Sequence, residues 1–519
     1  MRIKALCSLP QKGGWRGALY LIMAGCIAAL SLPPLCFIPA LPLALGVLYQ
    51  AVGLAPTKRQ AALWAFLFGM GFYTAGLYWL TNAILTRVEE FWWAVPFAAP
   101  GVALLIAPLF IVPALLCRLV PEGWPRLLLF AGSWTLADMA RVFYFSGFPW
   151  NPLGSVLELP GYVGDVLIQP ASLIGVDGLT FMVVLASLAL WQGRRAALGV
   201  CVCTILWCGW GAWRVEHHAH HSGGGKPAIA IVQGNVPEDD VLERDGASEQ
   251  FESYLQLTAR AVADARAHLP GHLPVVIWPE SAFPGLLDED EWARQTIATA
   301  AAGAPVLLGS DRRAGKGRWY NSLIALAADG HIEAIYDKSR LVPFGEYEPW
   351  ILPFHLLPAV VVPGPGLTRW DLPQIGRVGP MVCYEIIFSG SVVASGQRPE
   401  WLLTISNDAW YGNSAGPRQH LATGRMRAVE EGLPVVFANN RGVSAIYDAE
   451  GRDVGHTKWG KEQTLIRVLP DAEAWTVFTY IGRWGPFTLA ILSVLMAVWG
   501  GYGRKQKHVH INESLVKTR

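Results

Sequence analysis

Charge is scarce in this sequence. Only 16% of its 519 residues are Asp, Glu, Lys or Arg, against 52% hydrophobic residues and 23 tryptophans. That balance excludes an ordinary soluble protein and points to a membrane. Net charge is +1, and no basic stripe with interleaved aromatics occurs, so no nucleic acid is expected as a partner. No repeat of 20–50 residues and no long low-complexity tract is present. There is no nucleotide-binding loop and no convincing metal-ligand spacing, which leaves no cofactor and no metal to expect. The run His217-His-Ala-His-His221, beside a Ser-Gly-Gly-Gly stretch, reads as a solvated connector. Cysteine is the most informative shortage. Beyond Trp213 only Cys383 occurs; the other seven (Cys7, Cys26, Cys36, Cys117, Cys201, Cys203, Cys208) lie in the apolar N-terminal part. A lone cysteine closes no disulfide within its own domain, so its thiol is either packed or reactive.

What is abundant is apolar length. Residues 1–213 are hydrophobic with sparse charges, 214–475 have globular composition, and 476–502 are apolar again. Segments of about 20 apolar residues can cross a bilayer core. They are predicted at 15–32, 36–54, 61–85, 92–117, 125–142, 166–191, 196–213 and 480–502, about eight spans in all. The fourth carries Pro96, Pro100, Pro108 and Pro113, which interrupt a helix. Basic residues cluster at the N-terminus (Arg2, Lys4, Lys12, Arg16) and at Lys58–Arg59, Arg118 and Arg126, Arg194–Arg195 and the C-terminal tail. These are alternate loops, so both termini face the cytoplasm and the large domain the opposite side, the periplasm of a bacterium. Gly69-Met-Gly-Phe-Tyr-Thr-Ala-Gly-Leu-Tyr-Trp79 reads as tight helix packing through small residues. Phe145-Ser-Gly-Phe-Pro-Trp-Asn-Pro152 suits an interfacial loop. Asp138, Gln169 and Asp177, polar groups in or near spans, are functional candidates by default.

Between the seventh and eighth spans, short apolar runs alternate with polar helical stretches. Strands are predicted at 228–233, 274–278, 305–309, 321–326, 332–336, 376–382, 401–406, 434–438 and 443–447, and helices at 247–268, 289–302 and 418–431. Alternation over such a length indicates a layered α/β or α+β domain with a large sheet.

Three strand ends carry chemistry: Val275-Val-Ile-Trp-Pro-Glu280, Ile335-Tyr-Asp-Lys338 and Gly379-Pro-Met-Val-Cys383. Side chains just past strand ends line the ligand crevice of layered α/β domains. Singly, Glu280 and Lys338 read as surface residues; together with Cys383 they form a complementary set. A thiol needs a base to become a nucleophile, and a shielded carboxylate can take that proton and return it to a leaving group. An ammonium and a backbone N–H can stabilise the oxyanion that forms on an attacked carbonyl. No histidine is required, although His420 stays a candidate in the stretch Asn407–His420. Between Lys338 and Cys383 lies Pro349-Trp-Ile-Leu-Pro-Phe-His-Leu-Leu-Pro-Ala-Val-Val-Val-Pro363, too rich in proline to span a membrane. It is expected to dip into the interface as a lid, with Trp350 and Phe354 as lipid contacts.

In these motifs and this order, Glu280, Lys338 and Cys383 resemble the nitrilase (carbon–nitrogen hydrolase) superfamily. With spans on both sides of the domain, the sequence is similar to the apolipoprotein N-acyltransferase family. The similarity extends through Gly69–Trp79, Gly147–Asn151, Val232-Gln-Gly-Asn-Val-Pro237, Trp278–Ser281, Leu341-Val-Pro-Phe-Gly-Glu346, Cys383-Tyr-Glu385, Ser406-Asn-Asp-Ala-Trp-Tyr-Gly412, Gly416–His420 and Met426–Glu430. The resemblance implies a membrane domain of seven helices over 1–213, an αββα sandwich over 226–472, an eighth span at 480–502 and a cytoplasmic tail at 503–519. It implies transfer of an acyl chain from a phospholipid, typically phosphatidylethanolamine, through a thioester on Cys383 to the amine of a diacylglyceryl apolipoprotein. Glu280 would be acid and base and Lys338 the oxyanion stabiliser; Glu346 would orient Lys338, with Tyr384 and Glu385 supporting the nucleophile. The enzyme is expected in the inner membrane, as a monomer. Where the family carries a tryptophan after its Gln-Gly-Asn motif, this chain reads Val241-Leu242. A tethered amidase using the same triad, or a transporter with a binding domain, are the competing readings.

Overall fold

The computed structural model describes residues 14–86, 88–217, 225–237, 244–348 and 360–517, with backbone alone at 90, 244–246 and 503–517. Helix follows wherever apolar residues run without proline. Trp15–Ala29 (α1), Ala40–Leu54 (α2) and Lys58–Gly76 (α3) open the chain, α3 capped by the Thr57 hydroxyl accepting from Gln60 N at 3.1 Å. Two glycines set how closely α1 and α3 approach. A Cβ at Gly71 would lie 2.0 Å from the Ile22 carbonyl oxygen, and one at Gly25 would lie 2.1 Å from that of Phe68. The two backbones touch, as expected of the glycine-rich stretch. Gly71→Leu should therefore push the helices apart and cost about 1–3 kcal/mol, read as a lower thermal midpoint in detergent; an unchanged midpoint would show that the contact carries no stability.

The expected span boundaries shift where proline and glycine intervene. α3 stops at Gly76 and a short helix Leu80–Leu85 follows, so 61–85 is not one helix. The proline-rich stretch is a succession of α and 3-10 turns over Trp92–Leu119. Trp124–Met139 (α4) is followed by Gly161–Ile168, which Pro170 separates from Ala171–Ala189 (α5). Arg194–His217 (α6) completes the N-terminal helical part, and Trp484–Lys517 (α10) follows a break at Gly482 near the C-terminus. Among the described residues, four helical stretches are long and apolar enough to cross a membrane: Trp92–Leu119, Ala171–Gln192, Arg194–His217 and Trp484–Tyr502. α1 and α2 are apolar but shorter.

The central domain is a pair of face-to-face sheets. In the first, Ala228–Gln233 (β1) lies parallel to Pro274–Ile277 (β2), which lies parallel to Val306–Gly315 (β3). Arg318–Leu326 (β4) and Ile332–Asp337 (β5) continue antiparallel, Val360–Val361 (β6) pairs beside β4, and Gln463–Val468 (β13) closes the β1 edge. The second sheet runs from Trp370–Leu372 (β7) through Gly376–Val382 (β8), Trp401–Ser406 (β9), Val435–Asn439 (β10) and Ala445–Tyr447 (β11) to Asp453–His456 (β12). Every residue of β1, β2, β9 and β10 is buried, since both faces of these strands are covered.

Ile229, Ile277 and Leu307 meet Val382, Leu403 and Val436 between the sheets. Arg244–His268 (α7) and Glu291–Ala300 (α8) cover the first sheet through Tyr254, Ala261 and Ile297. Ala415–Glu431 (α9) covers the second. The layers are thus α–β–β–α, with α9 wedged between its sheet and the N-terminal helices: Met426 and Val429 pack with Ile168 and Leu179. Sequence periodicity missed β6, β7, β12 and β13, which are short edge strands or mix polar with apolar residues.

Candidate active site

The three strand ends converge. Glu280 follows β2 and is 7% exposed; Lys338 follows β5 and is 1% exposed; Cys383 follows β8 and opens a 3-10 turn, Cys383–Ile387. Lys338 Nζ lies 2.6 Å from Glu346 Oε1 and 3.4 Å from Glu280 Oε1. Cys383 adopts φ +54°, in the left-handed region that non-glycine residues seldom occupy and that stores strain of roughly 1–3 kcal/mol. Such a sharp exit from a strand turns the chain straight into the 3-10 turn.

The electrostatics suit a resting thiol beside a fixed cation. Burial pushes the Lys338 ammonium down, but Glu346 and Glu280 more than offset it and hold it well above the usual lysine range. Burial pushes the Cys383 thiol well up, Glu280 adds to that, and Lys338 opposes both. At neutral pH the sulfur is therefore protonated, and it becomes a nucleophile only as a base removes its proton. Glu280 is held in place by two donors. Its Oε1 accepts from Asn321 Nδ2 at 2.7 Å, and its Oε2 accepts from the Asn407 backbone N at 2.9 Å.

The supporting residues act through position. Glu346 orients Lys338 and is itself pinned by the Val342 backbone N at 2.8 Å. Glu385 is a buried clamp. Its Oε1 accepts from Tyr336 OH at 2.7 Å, from the Ser339 hydroxyl and backbone N, and from Arg340 N at 3.2 Å; its Oε2 accepts from Val382 N at 2.9 Å. One carboxylate thereby ties the segment after Lys338 to the strand that ends at Cys383. The Tyr384 hydroxyl donates to the Gly147 carbonyl, and its ring packs edge-on against Phe388. Trp350, Phe354, Val241, Leu242 and His218–His221 lie outside the described residues.

One participant carried no legible signal, and several of the sequence motifs meet around the site. Asn321, midway along β4, donates to both Glu280 and Glu346 (2.7 and 3.4 Å), and its backbone carbonyl accepts the Lys338 N–H at 2.8 Å. Gln419 receives the indole N–H of Trp79 at 3.1 Å and of Trp150 at 2.9 Å, so the two aromatic motifs of the N-terminal part meet on α9. The loop 145–152 also reaches the catalytic segments: Ser146 Oγ donates to the Leu341 carbonyl at 2.7 Å, and Gly147 holds Tyr384.

The three polar groups in or near the predicted spans all have protein partners. Asp138 pairs with Arg141 at 2.9 Å and Asp177 with Arg483 at 2.8 Å, while Gln169 receives Arg214 and donates to the Glu450 carbonyl at 2.9 Å. Cys383, Asp408 and His420 bring possible metal-ligating atoms within 4.8 Å of one another, but both nitrogens of His420 are already turned to protein acceptors.

Residues 228–476 match the carbon-nitrogen hydrolase family, and residues 24–189 match the apolipoprotein N-acyltransferase N-terminal domain. The apolipoprotein N-acyltransferase of Allorhizobium ampelinum is 34% identical over 473 residues, 85% of this chain and 87% of that protein. That of Bradyrhizobium diazoefficiens is 34% identical over 522 residues, 93% of this chain and 95% of that protein. Among solved structures, an amidase from Nesterenkonia sp. has 18% identity and a TM-score of 0.37, covering 48% of this chain and 92% of its own. With both domain families matched in order and relatives about one-third identical along nearly their whole length, the chain belongs to the apolipoprotein N-acyltransferase family.

Proposed function

We propose that this protein transfers a fatty acyl chain from a membrane phospholipid, through a thioester on Cys383, to the N-terminal amine of diacylglyceryl-cysteine apolipoproteins. The observation that carries the reading is the Lys338 ammonium, buried between Glu280 and Glu346 at 3.4 and 2.6 Å beside a thiol that rests protonated. In the first half-reaction Glu280 takes the thiol proton and the sulfur attacks the ester carbonyl of the phospholipid. Lys338 and a backbone N–H hold the oxyanion. The C–O bond then breaks, Glu280 returns the proton to the departing lysophospholipid oxygen, and the acyl group remains on sulfur. In the second half-reaction the lipoprotein amine attacks the thioester, Glu280 takes a proton from nitrogen, and the C–S bond breaks. An amide forms and the thiol regains its proton.

The same proposal places the chain in a bacterial inner membrane, as a monomer, with residues 1–213 as seven spans and 480–502 as the eighth. The catalytic domain, 226–472, is on the periplasmic side and the tail, 503–519, in the cytoplasm. Alternate loops bearing Lys and Arg support this orientation, and the exposed Trp92, Trp484 and Tyr502 near span ends suit the headgroup level at either face. Phosphatidylethanolamine is the expected donor.

Intact-mass measurement after incubation with phosphatidylethanolamine tests the reading. The expected result is one acyl increment, removed by hydroxylamine and discharged to an amide by a diacylated lipopeptide. Hydrolysis of small amides with no acyl increment would replace acyl transfer by a tethered amidase.

A further inference from the structure

The second half-reaction leaves one proton without a place to go. An α-amino group has an ordinary pKa of about 7.7–8.0, so at neutral pH it arrives mostly as an ammonium. To end as an amide nitrogen it gives up two protons, one before it can attack and one as the C–N bond forms. The second passes through Glu280 to the departing sulfur. A further acceptor beside Glu280 would let the ammonium itself be the form that binds.

Asp311 stands at that place. Along β3, Leu307 packs between the sheets and Leu308 against the helices. Pairing with β4 runs unbroken from Val306 to Arg313, so alternation turns Gly309 and Asp311 to the inter-sheet face with Leu307. Gly309 lies against the base: a Cβ there would stand 2.7 Å from Glu280 Cα. Asp311 is the next residue on that face, about 7 Å further along the strand. Directly across on β4 is Asn321, whose Nδ2 holds both Glu280 and Glu346. Residues facing each other in this way have Cβ atoms about 4.5–5.5 Å apart.

The carboxylate is unspent. Among the described residues no hydrogen bond or ion pair engages it. Asp311 is exposed to solvent, yet protein surrounds it closely enough that burial pushes its carboxyl up to about 6, with Glu280 and Glu346 adding and Lys338 opposing. An open group so surrounded lies in a concavity. Asn321 Oδ1, on the same wall, is buried and has no hydrogen-bond partner among the described residues. The wall is short of donors, and three carboxyl groups, Glu280, Glu346 and Asp311, share the one ammonium of Lys338.

We propose that Asp311 is the subsite for the acceptor's terminal ammonium, binding it beside Glu280 and taking the first of its two protons. The inference rests on acyl transfer being the function. Asp311 passes its proton to water as the amide leaves, so ammonium and thioester become amide, thiol and one released proton. A carboxylate with the ordinary value of about 3.9 would hold an ammonium but take its proton less readily; one near 6 serves both ends.

The headgroup of phosphatidylethanolamine also carries an ammonium, so the two half-reactions are read apart on the full-length protein in detergent. When the acyl-enzyme is chased with a diacylglyceryl lipopeptide, Asp311→Asn should be slower than the wild type by about 10- to 100-fold. That loss should exceed any loss in acylation by phosphatidylethanolamine. Hydroxylamine attacks uncharged and gives up a single proton, so its loss should be smaller than the lipopeptide's. Equal losses with the two nucleophiles overturn the proposal. So does a loss confined to acylation, which would give the subsite to the donor headgroup. Binding is read without turnover, as protection of Cys383 from iodoacetamide followed at its peptide by mass. Half-protection should need about tenfold less lipopeptide than its analogue with hydrogen in place of the amine, and in Asp311→Asn that advantage should vanish. Equal protection by the two ligands in the wild type, a comparison that needs no variant to fold, overturns the subsite, as does an advantage that survives the substitution. If the wild type takes no acyl group from phospholipid, acyl transfer fails as the function while protection still judges the ammonium subsite.

Discussion

Cys383→Ala should leave no hydroxylamine-labile acyl group on the protein after incubation with phospholipid, while its thermal midpoint in detergent stays close to that of the wild type. The two halves of this result have separate causes. The nucleophile is the sulfur itself, and no neighbouring group can replace it in a thioester. The fold loses little, because the sulfur is small and its one hydrogen bond, 3.4 Å to Ser406, is long, and alanine takes the φ of +54° at about the same strain as cysteine. The turn around it is held by the Glu385 carboxylate on Val382 N and by His420 on the Cys383 carbonyl, neither of which involves the thiol. An adduct surviving on the variant would move the nucleophile to one of the N-terminal cysteines and dismantle the site.

Lys338→Met should act on rate and stability together. Losing one oxyanion donor slows acylation by about 100- to 1,000-fold. Removing the cation also strands the Glu280 and Glu346 carboxylates, both close to its Nζ in a buried site, at a cost of about 3–5 kcal/mol. Asp311 stands nearby, its carboxyl pushed up to about 6 by burial and then by Glu280 and Glu346, with Lys338 opposing. Without the lysine the Asp311 carboxyl loses the one group that opposes its rise and should bind its proton still more tightly in the folded state than in the unfolded one. A carboxyl raised in this way contributes stability that is present at low pH and lost as pH rises through its folded-state value. The variant's thermal midpoint should therefore recover between pH 8 and pH 5 relative to the wild type. A deficit that is the same at both values would mean that lost packing, not stranded charge, sets the cost.

Much of this was legible because the chemistry sits where strands end. Glu280, Lys338 and Cys383 each close an apolar run, and β1, β8 and β9 match the runs residue for residue. Lys338 reads as a surface residue by itself, and only the cluster shows why it is buried. Asn321 was illegible for the opposite reason: it sits inside β4, where alternation marks a face but not a partner across the sheet. The partner of Asp177 was illegible because helix packing defines it: Arg483 is 306 positions away. Span ends at Gly76 and Pro170 were blurred because hydropathy continues across breaks that backbone geometry imposes.

The position of α9 has a consequence for how this catalyst could have arisen and could be re-used. Nearly every residue along it is buried, including Gln419, His420, Arg425, Arg427 and Glu430, because it is covered on one side by β10 and on the other by the N-terminal helices. The Glu430 carboxylate accepts the Val176 N–H at 2.7 Å, and Gln419 accepts both Trp79 and Trp150. The helices are therefore not an anchor tied to a finished hydrolase but the missing wall of its interior. Cut free at its linkers, the central domain would show water a face of unpaired polar groups and bare indole sockets. The catalytic unit is not portable: grafting it elsewhere means carrying Trp79, the loop 145–152 and α5 along with it.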